Sequence, residues 1–359
     1  MNKKRLAVAP MMEWTDRHCR SFHRLLTKEA VLYTEMVTSG ALLHGDQARH
    51  LDYGTIEHPV VLQLGGSEPS DLARCAELAQ QWNYDEIDLN CGCPSERVQK
   101  GAFGACLMAE PALVAECVRA MRSVYDRPIS VKHRLGLDQM DASQSKEDYQ
   151  FVLDFMLAVA HAGASQVTIH ARNAVLKGLS PKENRTKPAL HYEVAKQLRI
   201  DTQKSYPHLK VLLNGGLDSN EQIANYWQDF DGFMVGRSAY HFPAMLLGWD
   251  DLLQSEGSAA GYLFSETEWH RIQIGLVQQA KQWFDDCQER QKPFYLGAIT
   301  RHIMGLAHGR AGARRWRQRL SDHGALAKVK TKEAIEEFFF EASLELGDWA
   351  AFDLNAQIA

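Results

Sequence analysis

Eight short runs rich in aliphatic residues, separated by stretches with helical spacing, constrain this chain more than any other feature. They fall at 6–11, 31–37, 60–64, 86–90, 129–132, 166–170, 210–214 and 232–235. Their length and Val, Ile and Leu content are those of parallel strands buried on both faces. Between them, Leu72, Cys75, Ala76, Ala79 and Trp82 share one helix face, and Leu113, Val114, Cys117, Val118 and Met121 another. Phe151, Leu153, Phe155, Met156, Val159 and Ala160 predict a third helix, more widely buried. Ser67 with Pro69, Ser145 with Asp148 and Ser219 with Gln222 mark helix starts. Eight strand–helix alternations over about 240 residues match an α/β fold of the (β/α)8 TIM barrel type. A doubly wound open sheet usually has fewer strands and carries a Gly-rich dinucleotide fingerprint after an early strand, which is missing here.

The alternation stops after Pro243. From Glu266 the pattern is helical throughout: Trp269, Ile272, Leu276, Ala280 and Phe284 lie on one face, and helical patterns follow at 299–307 and 334–346. The expected organisation is a catalytic barrel at 1–248, a linker at 249–264, a small C-terminal all-helical domain at 265–346 and a tail at 347–359. Net charge is −5, which by itself disfavours a nucleic-acid partner. Yet charge is segregated: residues 290–321 hold no acid and eight bases, Arg290, Lys292, Arg301, Arg310, Arg314, Arg315, Arg317 and Arg319. A run of this kind is either a solvated helix face or a phosphate-binding surface. Trp316, inside it, either stacks on a base or packs between helices, and packing is the more usual fate. The seven cysteines lack the spacing of a disulfide framework. No apolar run is long enough to span a bilayer and no signal peptide is evident, so the expected location is the cytoplasm.

Chemistry in such barrels collects at the C-terminal ends of the strands, and here those ends are polar. They read Gln63; Asn90-Cys91-Gly92-Cys93-Pro94; Lys132-His133-Arg134; His170-Ala171-Arg172; Asn214-Gly215-Gly216; and Gly236-Arg237. The last two end strands 7 and 8, where these barrels often hold a phosphate; as isolated turns they would mean little. Lys132 is a cation beside a flavin, a Schiff-base lysine or a plain rim lysine. Cys93, on a rim loop, is able to deliver a proton. Cys91 and Cys93 without a second ligand pair make a poor zinc site, and no metal is expected. His170 is a ligand-binding histidine or a satisfied core one.

Together these residues resemble the dihydrouridine synthase family. The resemblance runs through Ala9-Pro10-Met11, Thr15-Asp16, Thr34-Glu35-Met36, Gln63-Leu64, Leu89-Asn90-Cys91-Gly92-Cys93-Pro94, Val131-Lys132, His170-Ala171-Arg172, Asn214-Gly215-Gly216 and Val235-Gly236-Arg237. It covers the barrel and extends into the helical region. Met12-Glu13-Trp14-Thr15-Asp16-Arg17, Leu179-Ser180-Pro181-Lys182-Glu183-Asn184-Arg185 and Ile299-Thr300-Arg301-His302 are similar to the A-type subfamily, which acts on uridines 20 and 20a of the tRNA D-loop. Cys91 departs from the pattern, where a small or aliphatic residue is expected.

The resemblance implies FMN held by Pro10, Met11, Met12, Gln63, Lys132, His170, Asn214, Gly215, Gly216, Gly236 and Arg237. It implies NADPH as reductant, and Asn90, Arg172, Lys182, Arg185 and Arg301 facing tRNA. Cys93 would protonate C5 of a uracil that receives hydride at C6. No obligate protein partner is evident. A flavin barrel acting on a free small molecule would lack use for the basic segment. A chemically inert RNA-binding module would not need Cys93, Lys132 and His170.

Overall fold

The computed structural model describes residues 3–258 and 264–347. Eight strands, β1 (Arg5–Val8), β2 (Val31–Thr38), β3 (Val60–Gly65), β4 (Glu86–Cys91), β5 (Ile129–Arg134), β6 (Gln166–His170), β7 (Lys210–Asn214) and β8 (Gly232–Val235), close into a barrel in chain order. Every neighbouring pair is parallel. With helices in the connections, this is the (β/α)8 TIM barrel the sequence predicts, and helices follow it in the chain. Strand β1 stops earlier than expected. The Ala9 N–H still bonds Val235 O at 2.8 Å, but Pro10 has no N–H to continue the ladder. Strand β5 runs two residues further, because Lys132, His133 and Arg134 stay paired with Thr168, Ile169 and His170.

The chain divides into two compact units. The first comprises Met1–Glu13, Val31–Leu217 and Asn225–Gly236; the second comprises Trp14–Ala30, Asp218–Ala224 and Arg237–Ala359. All eight strands belong to the first. The helix Arg17–Leu26, which follows β1 in the chain, groups with the second.

Inside the barrel, polar and apolar residues take separate sides. Ala7, Ala9, Val31, Tyr33, Val61 and Met234 form an apolar cluster from β1, β2, β3 and β8. Opposite them the inward positions of β4, β5 and β6 are polar. At the N-terminal end, Arg5 donates to Glu86 Oε2 and to Gln166 Oε1, each at 2.7 Å. Strands β4 and β6 are not neighbours of β1, so these bonds cross the interior and plug it. The outward positions Ile87, Leu89 and Cys91 are fully buried in the barrel wall. Strand β2 carries a bulge where its register against β3 shifts between Tyr33 and Met36. Thr34 fills the gap: its hydroxyl accepts the Gln63 N–H at 3.0 Å and donates to Glu35 O at 2.7 Å.

Two of the expected helix starts hold. Ser145 Oγ accepts Asp148 N–H at 3.2 Å, and Ser219 Oγ accepts Gln222 N–H at 3.1 Å. Ser67 does not cap. The cap position of the helix Pro69–Gln81 falls one residue later, on Glu68, whose side chain makes no capping bond, and Pro69 at the first helical position has no N–H to satisfy. Residues 249–254 of the expected linker form the helix Trp249–Gln254, which buries Trp249, Leu252 and Leu253. The Trp249 indole N–H donates to Asn220 Oδ1 at 3.0 Å. Residues 259–263, and the expected tail beyond Gly347, lie outside the described residues.

The second unit is organised around Asp16. Its Oδ1 accepts the N–H groups of His18 and Cys19, both at 3.0 Å, and caps the helix Arg17–Leu26. The helix Gly297–Ile303 supplies Arg301, which pairs with Asp16, and buried His302, whose Nε2 lies 3.0 Å from Asp16 Oδ1. Burial opposes the charge on Asp16, but His302 and the flanking donors hold its carboxyl well below the usual range. The helix Glu266–Glu289 buries Trp269, Ile272, Leu276 and Ala280 as expected, with Phe284 half-buried against Phe294. Trp316 is buried edge-on to Trp269 at 5.4 Å, which makes it a packing residue.

Replacing Asp16 by Ala removes a cap and one side of a buried pair, and should cost about 2 kcal/mol or more in urea unfolding. The sign with pH follows from the depressed carboxyl. The advantage of the native protein over Asp16→Asn is complete above about pH 4, the unfolded carboxylate value. Thermal unfolding at stepped pH should show that gap narrowing as pH falls further.

Candidate active site

At the C-terminal rim of the barrel, two separate hydrogen-bonded sets hold several of the expected site residues. Lys132, half-buried at the end of β5, donates from Nζ to Asn214 Oδ1 on β7 at 3.0 Å. Asn214 in turn donates to Met234 O on β8 at 2.6 Å, which fixes its amide so that oxygen faces the lysine. Burial draws the Lys132 ammonium down to about 8, Arg134 adds to this, and the carboxyl of Asp88 opposes it.

On the β3–β4 side, Asn90 Nδ2 donates to Gln63 Oε1 at 2.9 Å. Asn90 Oδ1 accepts two main-chain N–H groups, Gly92 at 3.1 Å and Cys93 at 3.0 Å. The amide thereby shapes the turn that carries Cys93 off the strand end. Only one of its two amide hydrogens is committed to Gln63. The Cys93 thiol is partly exposed and lies 3.5 Å from Ser95 Oγ. Cys91 is fully buried, and burial pushes its thiol far above the ordinary range. It is therefore a wall residue, and it separates from Cys93 by facing outward. Among the described residues no group of three or more His, Cys, Asp or Glu is placed to hold a metal.

His170 ends β6 beside Asn214 on β7, buried at the rim. Gly215 and Gly216 follow with φ of +102° and +72°, conformations that favour glycine. A Cβ on Gly215 would stand 3.2 Å from His170 Nε2, so the bare main chain is what lets the imidazole sit against this turn. Tyr192 Oη donates to Gly215 O at 2.6 Å and holds the turn from below. At Gly236 the nearest neighbours of a Cβ would be Ala9 Cβ at 3.6 Å and Met11 Sδ at 3.7 Å, so Met11 and Gly236 border the same stretch of rim. Pro10 and Met11 are half-buried, and Met12 is exposed.

Arg134 is a rim residue whose role the sequence did not disclose. Its buried guanidinium donates to Gly92 O at 3.0 Å, Asn173 O at 3.2 Å and Asn184 O at 3.0 Å. It ties the Cys93 turn to the long loop after β6. Asn184 knits that loop internally, accepting Val175 N–H at 2.8 Å and donating to Val175 O at 2.9 Å. Lys182 and Arg185 are exposed on the same loop, and Arg172 donates to Pro188 O. A polar side chain between Glu183 and Arg185, with a charged strand end facing it, was the only sequence signal for this staple.

Arg237 and Arg301 belong to the second unit. Arg237 opens the helix Arg237–His241 directly after Gly236, and Arg301 is exposed on its helix while paired with Asp16. Arg315 pairs with Glu345 and Arg319 with Glu341. Arg314 and Arg317 are exposed, and among the described residues they enter no ion pair.

A cation, a histidine, two amides and a glycine turn thus lie at one rim of a closed (β/α)8 barrel, with a partly exposed thiol beside them. Residues 7–343 match the family model described as Dihydrouridine synthase (Dus), and the chain belongs to that family, whose members are in general flavin-dependent. Three relatives bear the name tRNA-dihydrouridine(20/20a) synthase. The one from Xanthomonas campestris pv. campestris is 50% identical over 318 residues, covering 89% of this chain and 88% of the relative. That from Vibrio parahaemolyticus is 49% identical over 320 residues, covering 89% and 91%. That from Vibrio cholerae is 47% identical over 342 residues, covering 92% and 98%.

Removing the guanidinium in Arg134→Met leaves three carbonyls short of a donor, at about 1–3 kcal/mol for each one that stays buried. Limited trypsin digestion should then cut within 173–191 at least several-fold faster than in the native protein, while the rest of the barrel resists as before.

Proposed function

We propose that this protein reduces uridine to 5,6-dihydrouridine at positions 20 and 20a of the tRNA D-loop, with FMN as cofactor and NADPH as reductant. The observation that carries the reading is the Cys93 turn, held by Asn90 on the same rim where Lys132 and Asn214 are joined. The names of the relatives support the substrate and the positions.

The rim residues fit a flavin. Lys132 offers a cation, Gln63 and Asn214 are amides fixed in orientation, and the side-chain-free Gly215-Gly216 turn lies against His170. Pro10, Met11, Met12, Gln63, Lys132, His170, Asn214, Gly215, Gly216, Gly236 and Arg237 would hold it. A flavin held by these residues would supply hydride chemistry, with NADPH as the reductant and C6 of the uracil ring as the acceptor. Cys93 gives its thiol proton to C5, so that one hydride and one proton complete the reduction of the C5=C6 bond. Water then restores the thiol. Lys132 and His170 offset the negative charge that develops on the rings before that proton arrives.

The uridine must leave its loop to reach this rim, and a loop base is cheaper to unstack than one in a duplex. Asn90, through its second N–H, would meet the base, with Arg172, Lys182, Arg185 and Arg301 on the tRNA side. The bases of 290–321 neutralise phosphates without reading sequence. Arg301, Arg315 and Arg319 already pair with carboxylates, whereas Lys292, Arg314 and Arg317 are exposed and enter no ion pair among the described residues. No helix among the described residues is long and apolar enough to cross a membrane.

Mass-spectrometric mapping of unmodified tRNA treated with the protein, FMN and NADPH should show dihydrouridine at 20 and 20a. Cys93→Ala should lower the rate by about 10²–10⁴, the usual worth of a positioned acid. Bound flavin with no dihydrouridine on any tRNA would instead indicate a small-molecule reductase. In an Arg314→Gln/Arg317→Gln double variant, the slope of log tRNA affinity against log salt should fall by about 2. Flavin binding should weaken as pH rises through about 8, where Lys132 loses its charge, and Lys132→Met should flatten that dependence.

A further inference from the structure

One buried carboxyl in the barrel interior has no part in the chemistry above. Asp88, in the middle of β4, is fully buried inside the barrel. Its Oδ2 accepts Gln63 Nε2 at 2.6 Å and its Oδ1 accepts Ser130 Oγ at 2.9 Å. It has no contact with the rim turn, yet a continuous hydrogen-bonded path leads there. Gln63 Oε1 accepts from Asn90 Nδ2, and Asn90 Oδ1 accepts the N–H groups of Gly92 and Cys93.

Each amide in this path has one donating and one accepting end, so a single terminus fixes the direction of the whole. We propose that Asp88 is a positioning residue, whose carboxylate sets the orientation of Gln63 and Asn90 and through them holds the turn that presents Cys93. The two ends of the path agree only in the observed direction. A carboxylate only accepts, so Gln63 must point its NH2 inward and its oxygen toward the rim. Asn90 must then give its NH2 to Gln63 and its oxygen to the turn. Were Gln63 reversed, its NH2 would meet that of Asn90. Asn90 would reverse too and place its NH2 against two main-chain N–H groups, and the turn would lose both acceptors. The Thr34 hydroxyl at the β2 bulge pins Gln63 from the main-chain side, so the side chain has this one freedom left to control. Burial raises the Asp88 carboxyl to about 7, opposed by the bonds from Gln63 and Ser130. Even protonated toward Ser130, its Oδ2 still accepts from Gln63, and the direction survives.

The role of the turn in catalysis rests on the reading of Cys93 as the acid; the path itself does not. The test therefore pairs amide hydrogen exchange with activity in the purified full-length protein, before and after addition of FMN. In Asp88→Leu, peptides containing Gly92 and Cys93 should exchange about tenfold faster or more, while amides of β5 and β6 keep their protection. Asp88→Asn, whose oxygen accepts from Gln63 while its NH2 donates to Ser130, should stay within about twofold of the native rate. Dihydrouridine formation should follow the same order, with kcat falling in Asp88→Leu and KM for tRNA little changed. Unaltered exchange at Gly92 and Cys93 in a folded Asp88→Leu protein would overturn the proposal, as would an Asp88→Asn protein that exchanges as fast as Asp88→Leu. Should Asp88→Leu fail to fold, Gln63→Met cuts the same path one step nearer the rim: faster exchange there upholds the proposal and an unchanged rate overturns it. If the exchange results hold but even the native protein makes no dihydrouridine, the path stands and the functional reading falls.

Discussion

Everything at the rim depends on polar side chains being buried inside a barrel that is otherwise a packed core. A group such as Asp88 or Arg5 is tolerable there only because each has donors or acceptors arranged around it. The chain meets this need by dividing the interior lengthwise. Apolar residues on β1, β2, β3 and β8 fill one side, while Glu86, Asp88, Asn90, Ser130 and Gln166 on β4 to β6 carry most of the hydrogen-bonded column, joined by Arg5 from β1 and Gln63 from β3. The column then delivers its ends to the rim, where orientation matters. Its stability and its directional precision come from the same bonds.

Strand period explains how much of this could be read in advance. In Glu86-Ile87-Asp88-Leu89-Asn90 the alternation of charge and hydrocarbon announces a strand with one polar face, and its last residue marks the rim. The eight strands, their order and the rim clusters were legible for that reason. What was not legible is which partner each polar residue takes. Asn90 reads as an amide suited to a base edge or a flavin, and its hold on the turn shows only once β3 and β4 pair and bring Gln63 within 2.9 Å of it. Arg134 reads as one more rim cation until the loop after β6 folds back to offer its carbonyls. The helix Trp249–Gln254 was hidden because its apolar residues are too few to show a period, and Trp249 reveals its burial only through Asn220.

The basic segment shows the same limit from the side of charge. Counting bases without acids in 290–321 treats the segment as isolated, but Glu341 and Glu345 lie later in the chain and return to neutralise Arg319 and Arg315. Arg301 likewise finds Asp16, hundreds of residues earlier. Local composition measures charge before folding. The charge left over for a polyanion is the smaller quantity that remains after such long-range pairing, and it is concentrated on fewer residues than the run suggests.

The two thiols of Cys91-Gly92-Cys93 illustrate how strand geometry decides reactivity. On a flexible loop such a pair would act as a redox couple, each sulfur ready to resolve oxidation of the other. Here the first is sealed in the barrel wall and the second stands at the rim. An oxidant that converts Cys93 to a sulfenic acid therefore finds no resolving partner in Cys91. The strand end that brings one thiol to the rim thus withholds the other from it, and two sulfurs one residue apart in the chain are kept chemically separate.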